Sequence, residues 1–383
     1  MGGAETRRIV TENRMWTIKK MLDWSRQYFE DNHIENPQLD AQILLGHVLD
    51  MTKVQLIING TRPLDEEELA NYKKLVIKRV KEHQPIAYII GHKDFWSLDL
   101  NVNENVLIPR PDTECLVEQA LAWINHRLEH KPLMWAFDNE SEYSYDNLDQ
   151  RQVYYEEISQ SESLEQKTEN WLKTQSGRFD NLDSDEAREA YETDVLNAQK
   201  NPENSPQPVD FVDKKLHIVD IGTGSGAIIL ALASELKDKC IYTAVDISHP
   251  ALEVARKNAE KLGLNIRFLE SDLCRNISES VDVIVSNPPY ISDEEMTGLS
   301  PEVRKEPDLA LRAGSDGLDI YKKLIPQSFQ KLNPGGVLFV EIGFKQSEFV
   351  EHIFKLNGFI NVRTFKDYGR RPRIVFGMKP LNS

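Results

Sequence analysis

Along the first hundred residues apolar side chains return every three or four positions. In MWTIKKMLDWSRQYFE (15–30) Trp16, Met21, Trp24 and Tyr28 fall at helical spacings, and in LDAQILLGHVLD (39–50) Leu39, Ile43 and Val48 lie close to one stripe, so both segments are predicted helices. LDEEELANYKKLVIKRVKEH (64–83) opens with acids and closes with bases, as a helix dipole favours, and Pro85 stands just past its end. Its bases Lys73, Lys74, Lys78, Arg79 and Lys81 read as a partner contact or as a solvated helix face, the second being preferred. After Gly91 the period drops to two: FWSLDLNVNENVLIPR predicts a β-hairpin within 94–108, and PDTECLVEQALAWINHRLEH (111–130) returns to helix with Pro111 in its first turn.

From Leu216 the pattern changes again. LHIVDIG, CIYTAVDI, NIRFLESD and VDVIVSN are short apolar runs, separated by the helical stretches SGAIILALASELK and HPALEVARKNAEKLG. This alternation predicts an α/β fold, a mostly parallel sheet with helices on both faces. The predicted organisation is a polar leader (1–14), a helical domain (15–92), a hairpin with a linking helix (93–130), an acidic segment (131–213) and an α/β domain (214–383).

Composition adds less than pattern does. A hydrophobic content of 40% suits a soluble globular protein, and the longest apolar helix candidate, Ala227–Ala233, is far too short to cross a bilayer. MGGAETRRIV has no apolar core of a signal peptide, so a cytoplasmic protein is expected. Cys115, Cys240 and Cys274 are odd in number and far apart, which argues for core thiols and against a disulfide framework or a metal site. The net charge of −16 is unevenly spread: residues 131–210 hold 19 acids against 7 bases, which leaves the rest of the chain nearly neutral and without a basic face for nucleic acid. Within the acidic stretch Trp135, Tyr143, Tyr154, Tyr155, Trp171 and Phe179 leave partial helix open. It reads first as a solvated insertion, next as an element for an unidentified partner, and last as a domain with its own site.

The chemistry gathers at predicted strand ends. HIVDIGTGSGAIIL is a strand, then Gly222, Thr223, Gly224, Ser225 and Gly226, then a helix whose free N–H groups face the loop. Alone, such a loop is also an ordinary tight turn. The next strand ends at Asp246, followed by Ile247 and placed 20 residues after Gly226, where a carboxylate can accept both ribose hydroxyls of an adenosine. The third strand ends with Asp272 and Leu273, an acceptor for an exocyclic amine and an apolar wall for a ring, or an ordinary strand-end pair. The fourth strand runs into Asn287-Pro288-Pro289-Tyr290. Prolines remove backbone donors and fix φ, so the Asn287 side-chain oxygen and a neighbouring carbonyl become two held acceptors, suited to the two hydrogens of an –NH2 group. Tyr290 offers a flat face to a planar amide or base.

IPRPDTE (108–114), DIGTGSGAIILALA (220–233), DIS…AL..A..NA (246–259), SDL (271–273), IVSNPPYI (284–291), EP..AL..GSDGLD.Y (306–321) and L.PGG.L..EIG (332–343) together closely resemble the HemK family of protein-(glutamine-N5) methyltransferases. The resemblance spans roughly 15–130 and 214–380; IPRPDTE and the helical first region are its most particular parts, since the Asn-Pro-Pro-Tyr motif is shared with enzymes that methylate DNA and RNA amines. It implies a seven-stranded Rossmann-like methyltransferase domain, S-adenosyl-L-methionine as cofactor, and transfer to the glutamine amide of the Gly-Gly-Gln loop of class I peptide chain release factors. A helical substrate-recognition domain and a monomer needing no metal are further expectations. By position, Gly222–Gly226 match the loop around the methionine part, Asp246 and Ile247 the ribose site, Asp272 and Leu273 the adenine site, and Asn287, Pro288, Pro289 and Tyr290 the amide-holding residues. Arg110, Pro111 and Thr113 match a segment near the mouth of the site; Glu341 is expected to support the site, to pack, or to lie at the surface. Two departures stand out: about a hundred residues separate Glu114 from Leu216, where the family uses a couple of dozen, and Tyr368 replaces a small apolar residue. The rival readings are an adenine-amino methyltransferase of DNA or RNA, a cofactor-binding scaffold, and, from the glycine loop alone, a nicotinamide-dependent dehydrogenase.

Overall fold

The computed structural model describes residues 15–129 and 215–381; the leader and the acidic segment of 131–213 lie outside the described residues. The first region is helical. Helix α1 (Ile18–Asp31) starts where the Thr17 side chain accepts from the Lys20 N–H, and it buries Ile18, Met21, Ser25 and Phe29. This differs from the expected stripe: Trp16 and Trp24 are 39% and 40% exposed, and Trp24 stacks on Tyr28 with centroids 5.1 Å apart. The two stripes are neighbours on the helix, and the more compact side chains fill the core while the large rings shield one another outside it.

Helix α2 (Pro37–Leu49) turns Ala41, Leu44 and Leu45 inward and leaves Leu39 exposed, again one position off the expected face. A short α3 (Lys53–Ile58) and a long α4 (Glu66–Lys81) each open with a capping box, Thr52 with Gln55 and Asp65 with Glu68. Phe29, Leu44, Leu45, Leu56 and Tyr72 form the core, closed by α5 (Ile86–Ile90), which ends at Gly91 in the left-handed conformation. Arg79 corrects the reading of the α4 bases. It lies on the stripe of Tyr72, Val76 and Val80, is buried, and binds Asp40 at 2.7 Å and Glu302 at 2.6 Å.

Strands β1 (His92–Phe95) and β2 (Leu98–Asn101) pair across Trp96 and Ser97, both at positive φ, the tight turn that matches strand twist. The hairpin is thus earlier and shorter than the alternation suggested. Val102, Val106 and Ile108 continue that alternation without a strand partner, packed with Ala251 and Val254. A 3-10 turn at Pro111–Thr113 then enters α6 (Glu114–Leu128).

The seven strands β3 (Leu216–Ile221), β4 (Cys240–Asp246), β5 (Arg267–Glu270), β6 (Val281–Ser286), β7 (Leu332–Glu341), β8 (Ile360–Lys366) and β9 (Pro372–Met378) form one sheet in the order β5-β4-β3-β6-β7-β9-β8. All pairings are parallel except those of β9 with β7 and β8. Every residue of β3 and β6 is buried, as strands covered on both faces require. Chain order runs outward from β3 through β4, then jumps back to β6. Right-handed crossovers therefore send α7 (Ala227–Leu236) and α8 (His249–Leu262) to one face, and the connection from β6 to β7 to the other. The carboxyl ends of β3 and β6 lie side by side at that switch, with Ile221 paired to Ser286 and the Ser286 hydroxyl donating to the Ile221 carbonyl at 2.7 Å. The three cysteines are buried and free, as expected.

Candidate active site at the carboxyl edge of the sheet

Because Ile221 pairs with Ser286, the next residues of the two strands, Gly222 and Asn287, leave the sheet next to each other. This is the crevice where open α/β sheets bind ligands. The glycine loop hooks over β4: the N–H groups of Gly222 and Thr223 both donate to the Val245 carbonyl, at 2.8 and 2.9 Å. Gly222 and Gly224 have φ of +73° and +55°, and a Cβ at either would meet nothing within 4 Å, so the loop is a cradle open on one side. Gly226 closes it as the left-handed cap of α7, and Ser225 is buried behind.

Two carboxylates hold this loop. Asp220, fully buried at the end of β3, accepts from the Thr223 hydroxyl at 2.7 Å; burial, with Asp246 nearby, pushes its carboxyl up to about 7. Sequence reading passed over Asp220, although an acid just before the glycines was visible. Asp246 accepts from the Gly224 N–H at 2.9 Å and the Ser248 N–H at 2.9 Å, and burial raises its pKa. Each of its oxygens keeps a lone pair for another donor. Ile247 beside it is 51% exposed, an apolar side chain left at the open edge.

Asp272 is half-buried and pairs with Arg275 at 2.8 Å, while Leu273 sits at φ +54°. A branched residue in that conformation is strained, and such strain concentrates at ligand sites. Asn258, buried and quoted in the sequence motif of 246–259 without a role, ties the hairpin to the loop: it accepts from the Asn101 N–H at 2.7 Å and donates to the Ser225 carbonyl at 2.9 Å.

On the other side of the crevice the Asn287 side-chain nitrogen donates to the Thr113 hydroxyl at 3.1 Å, and Thr113 is buried. Glu341 ends β7, is 1% exposed, and its Oε2 has no hydrogen-bond partner among the described residues; burial raises its carboxyl to about 7. Of the three expectations for Glu341, its burial removes the surface placement. Pro288 is buried and Pro289 and Tyr290 half-buried, with Tyr290 packed against the main core. Burial first and Glu341 second push its phenol up to about 12.

The Tyr290 backbone is clamped by a residue that no sequence argument singled out. Gln346 donates to the carbonyls of Tyr290 and Gly317 at 3.0 and 3.2 Å, and its oxygen accepts from the Gly343 N–H at 3.0 Å. Ile291 continues into a short parallel bridge with Arg312. The mouth segment is fixed from outside: Arg110 pairs with buried Glu306, which also takes the Ile108 N–H at 3.0 Å, and Asp112 binds Arg373 at 3.0 Å. Pro111 starts the turn that delivers Thr113.

A Rossmann-like sheet with a glycine cradle on β3 and an Asn-Pro-Pro-Tyr turn on the adjacent β6 defines a methyltransferase. Family models agree and divide the chain: residues 20–91 match the PrmC N-terminal domain and residues 208–302 the methyltransferase small domain. Release factor glutamine methyltransferases from Geobacter sulfurreducens and Buchnera aphidicola are 32% and 33% identical over 365 and 349 residues. These matches cover 95% and 91% of this chain and 97% and 94% of those proteins. A bifunctional methyltransferase from Rickettsia felis is 32% identical over 96% of this chain and 59% of its own length. The chain belongs to the release factor glutamine methyltransferase family.

Proposed function

We propose that this protein methylates the side-chain amide nitrogen of the glutamine in the Gly-Gly-Gln motif of class I peptide chain release factors, with S-adenosyl-L-methionine as donor. The observation that carries the reading is Asn287: its –NH2 is turned to Thr113, so its oxygen is the group left for an incoming –NH2, beside the glycine cradle. The relatives' names supply the protein substrate, and the nearly neutral body outside 131–210 supports a partner other than nucleic acid.

The cradle fits the donor. Gly222 and Gly224 leave open space where a ligand chain would run, Asp246 has free lone pairs for two hydroxyls, and Asp272 with Leu273 lies one strand further along. When bound, S-adenosyl-L-methionine supplies a methyl group already activated by its sulfonium. The protein's task is then positioning. An amide nitrogen is a poor nucleophile because its lone pair is delocalised; the Asn287 oxygen and a carbonyl of the Pro288–Pro289 segment hold its two hydrogens and aim the lone pair. As the nitrogen gains the methyl it becomes positive, and these acceptors stabilise that charge until one hydrogen leaves to water. Tyr290 covers the amide plane, while Arg110 and Pro111 border the entrance.

The test is transfer of labelled methyl to a release factor, to its Gly-Gly-Gln→Gly-Gly-Ala variant, and to duplex DNA. Label is expected on the first alone. Equal label on the Ala variant, or label on DNA, overturns the proposal.

A further inference from the structure

Two stretches of the sequence still lack a role in the site, GSDGLD (314–319) and EIGFKQ (341–346). In the fold they meet at the Tyr290 end of the Asn-Pro-Pro-Tyr turn. The chain leaving that turn is laid along the approach to the first of them. The Ile291 N–H donates to the Leu311 carbonyl at 2.9 Å, the Ala313 N–H to the Ile291 carbonyl at 2.8 Å, and the Asp293 N–H to the Gly314 carbonyl at 2.9 Å. Tyr290 stands one residue before this ladder, and its carbonyl is taken by the side chain of Gln346.

We propose that Gln346 is a positioning residue for the transfer step, a three-way tie that fixes where the Tyr290 end of the turn stands relative to β7. All three of its side-chain partners are main-chain groups whose roles have no alternative. The Gly343 N–H can only donate, so the atom facing it at 3.0 Å is the Gln346 oxygen. The Tyr290 and Gly317 carbonyls can only accept, so the atom facing them at 3.0 and 3.2 Å is the nitrogen, which has one hydrogen for each. The support under this amide is stiff. The Gln346 N–H donates to the Gly343 carbonyl at 2.9 Å, closing a ring with the side-chain bond. Its carbonyl accepts from the Val350 N–H at 3.0 Å at the start of the helix Ser347–Leu356, and the Val350 side chain is fully buried. Glycine makes the room: a Cβ on Gly343 would come within 2.9 Å of the Gln346 oxygen and 3.5 Å of the Tyr290 ring. Strand β6 holds the start of the turn and the prolines stiffen its middle, so Gln346 supplies the anchor at its far end. Without it the Tyr290 main chain, and with it the ring that covers the substrate amide, is free to shift. The glycine cradle, built on β3 and β4, keeps its own supports.

This inference rests on the reading of residues 287–290 as the amide-holding turn, and the test separates the two. We compare kcat and KM on a release factor, cofactor affinity by calorimetry, and the Ile291 backbone amide resonance by NMR. The Ile291 amide shares its peptide group with the Tyr290 carbonyl and reports on that hydrogen bond. The proteins are the parent, Asn287→Ala, Gln346→Met and Gln346→Glu. Gln346→Met keeps the length and loses all three bonds. Its kcat is expected to fall about 10- to 100-fold, the range that a small misplacement of reacting groups costs, with KM and cofactor affinity each within about threefold of the parent. The Ile291 resonance should move. Gln346→Glu keeps the acceptor for the Gly343 N–H but, ionised, sets an oxygen against two carbonyls, so it should lose turnover as Gln346→Met does. It serves if Gln346→Met does not fold. Full turnover in either Gln346 variant with Asn287→Ala inactive overturns the positioning role, and so does a loss of cofactor affinity that matches the loss of turnover. Full turnover in Asn287→Ala would instead overturn the assignment of the turn.

Discussion

At Glu341 burial and chemistry pull in opposite directions. Its carboxyl is raised from 4.5 to about 7, chiefly by desolvation, so the folded protein binds this proton more tightly than the unfolded chain does. The stability it contributes is complete below about pH 4.5 and is lost as pH rises through about 7. Glu341→Gln carries no charge to bury. It should therefore match the parent near pH 4.5 and exceed it at pH 8 by roughly 1–3 kcal/mol, read from urea unfolding at both pH values. A variant less stable than the parent at pH 8 would show that the surrounding polar and charged groups, Arg373 among them, outweigh desolvation. The contact of Thr113 with Asn287 does not show in the sequence: the two stand 174 positions apart, and nothing local marks a threonine as the partner of a distant amide. Asn287, Asp246 and the glycines were legible because each sits at a strand end inside a motif whose residue types already limit the chemistry. The inner face of α1 was misread because Trp16, Trp24 and Tyr28 are as apolar as Ile18 and Phe29, and only packing chooses between two adjacent stripes.

Among elements, the turn after β6 depends on a loop thirty residues downstream. Gly317 has φ +72°, and a Cβ there would come within 2.6 Å of both the Tyr290 carbonyl and the Gln346 side chain. Gly317→Ala should displace the Tyr290 backbone and lower turnover at least tenfold, about 1.4 kcal/mol of barrier, with cofactor affinity unchanged by calorimetry. Gly298, whose Cβ would meet nothing within 4 Å, is the matched control. The alternation of strand and helix after Leu216 was readable because strands buried on both faces are mostly short apolar runs. The hairpin was readable only in part, since alternation reports burial, and Val102 to Ile108 alternate against a neighbouring helix without pairing in a sheet.

Across the whole molecule, Arg79 joins the helical region to the loop that follows the site. It is 4% exposed, satisfies buried Asp40, and reaches Glu302. Removing it strands a carboxylate in the core, so Arg79→Ala should destabilise by about 3–5 kcal/mol in chemical denaturation, and Arg79→Met paired with Asp40→Leu by much less. Equal losses in the two variants would mean that lost packing, and not the stranded charge, dominates. The site itself draws on Thr113 early in the chain, Asn287 in its third quarter and Glu341 near the end. Synthesis runs from the N-terminus at roughly 5–20 residues per second, so a nascent chain that has already extended through Asn287 still waits several seconds for the strand bearing Glu341. Competence arrives late and all at once, when β7 takes its place beside β6. A chain that ends before β7 would hold the residues of the glycine cradle and of the Asn-Pro-Pro-Tyr turn without the strand that flanks β6.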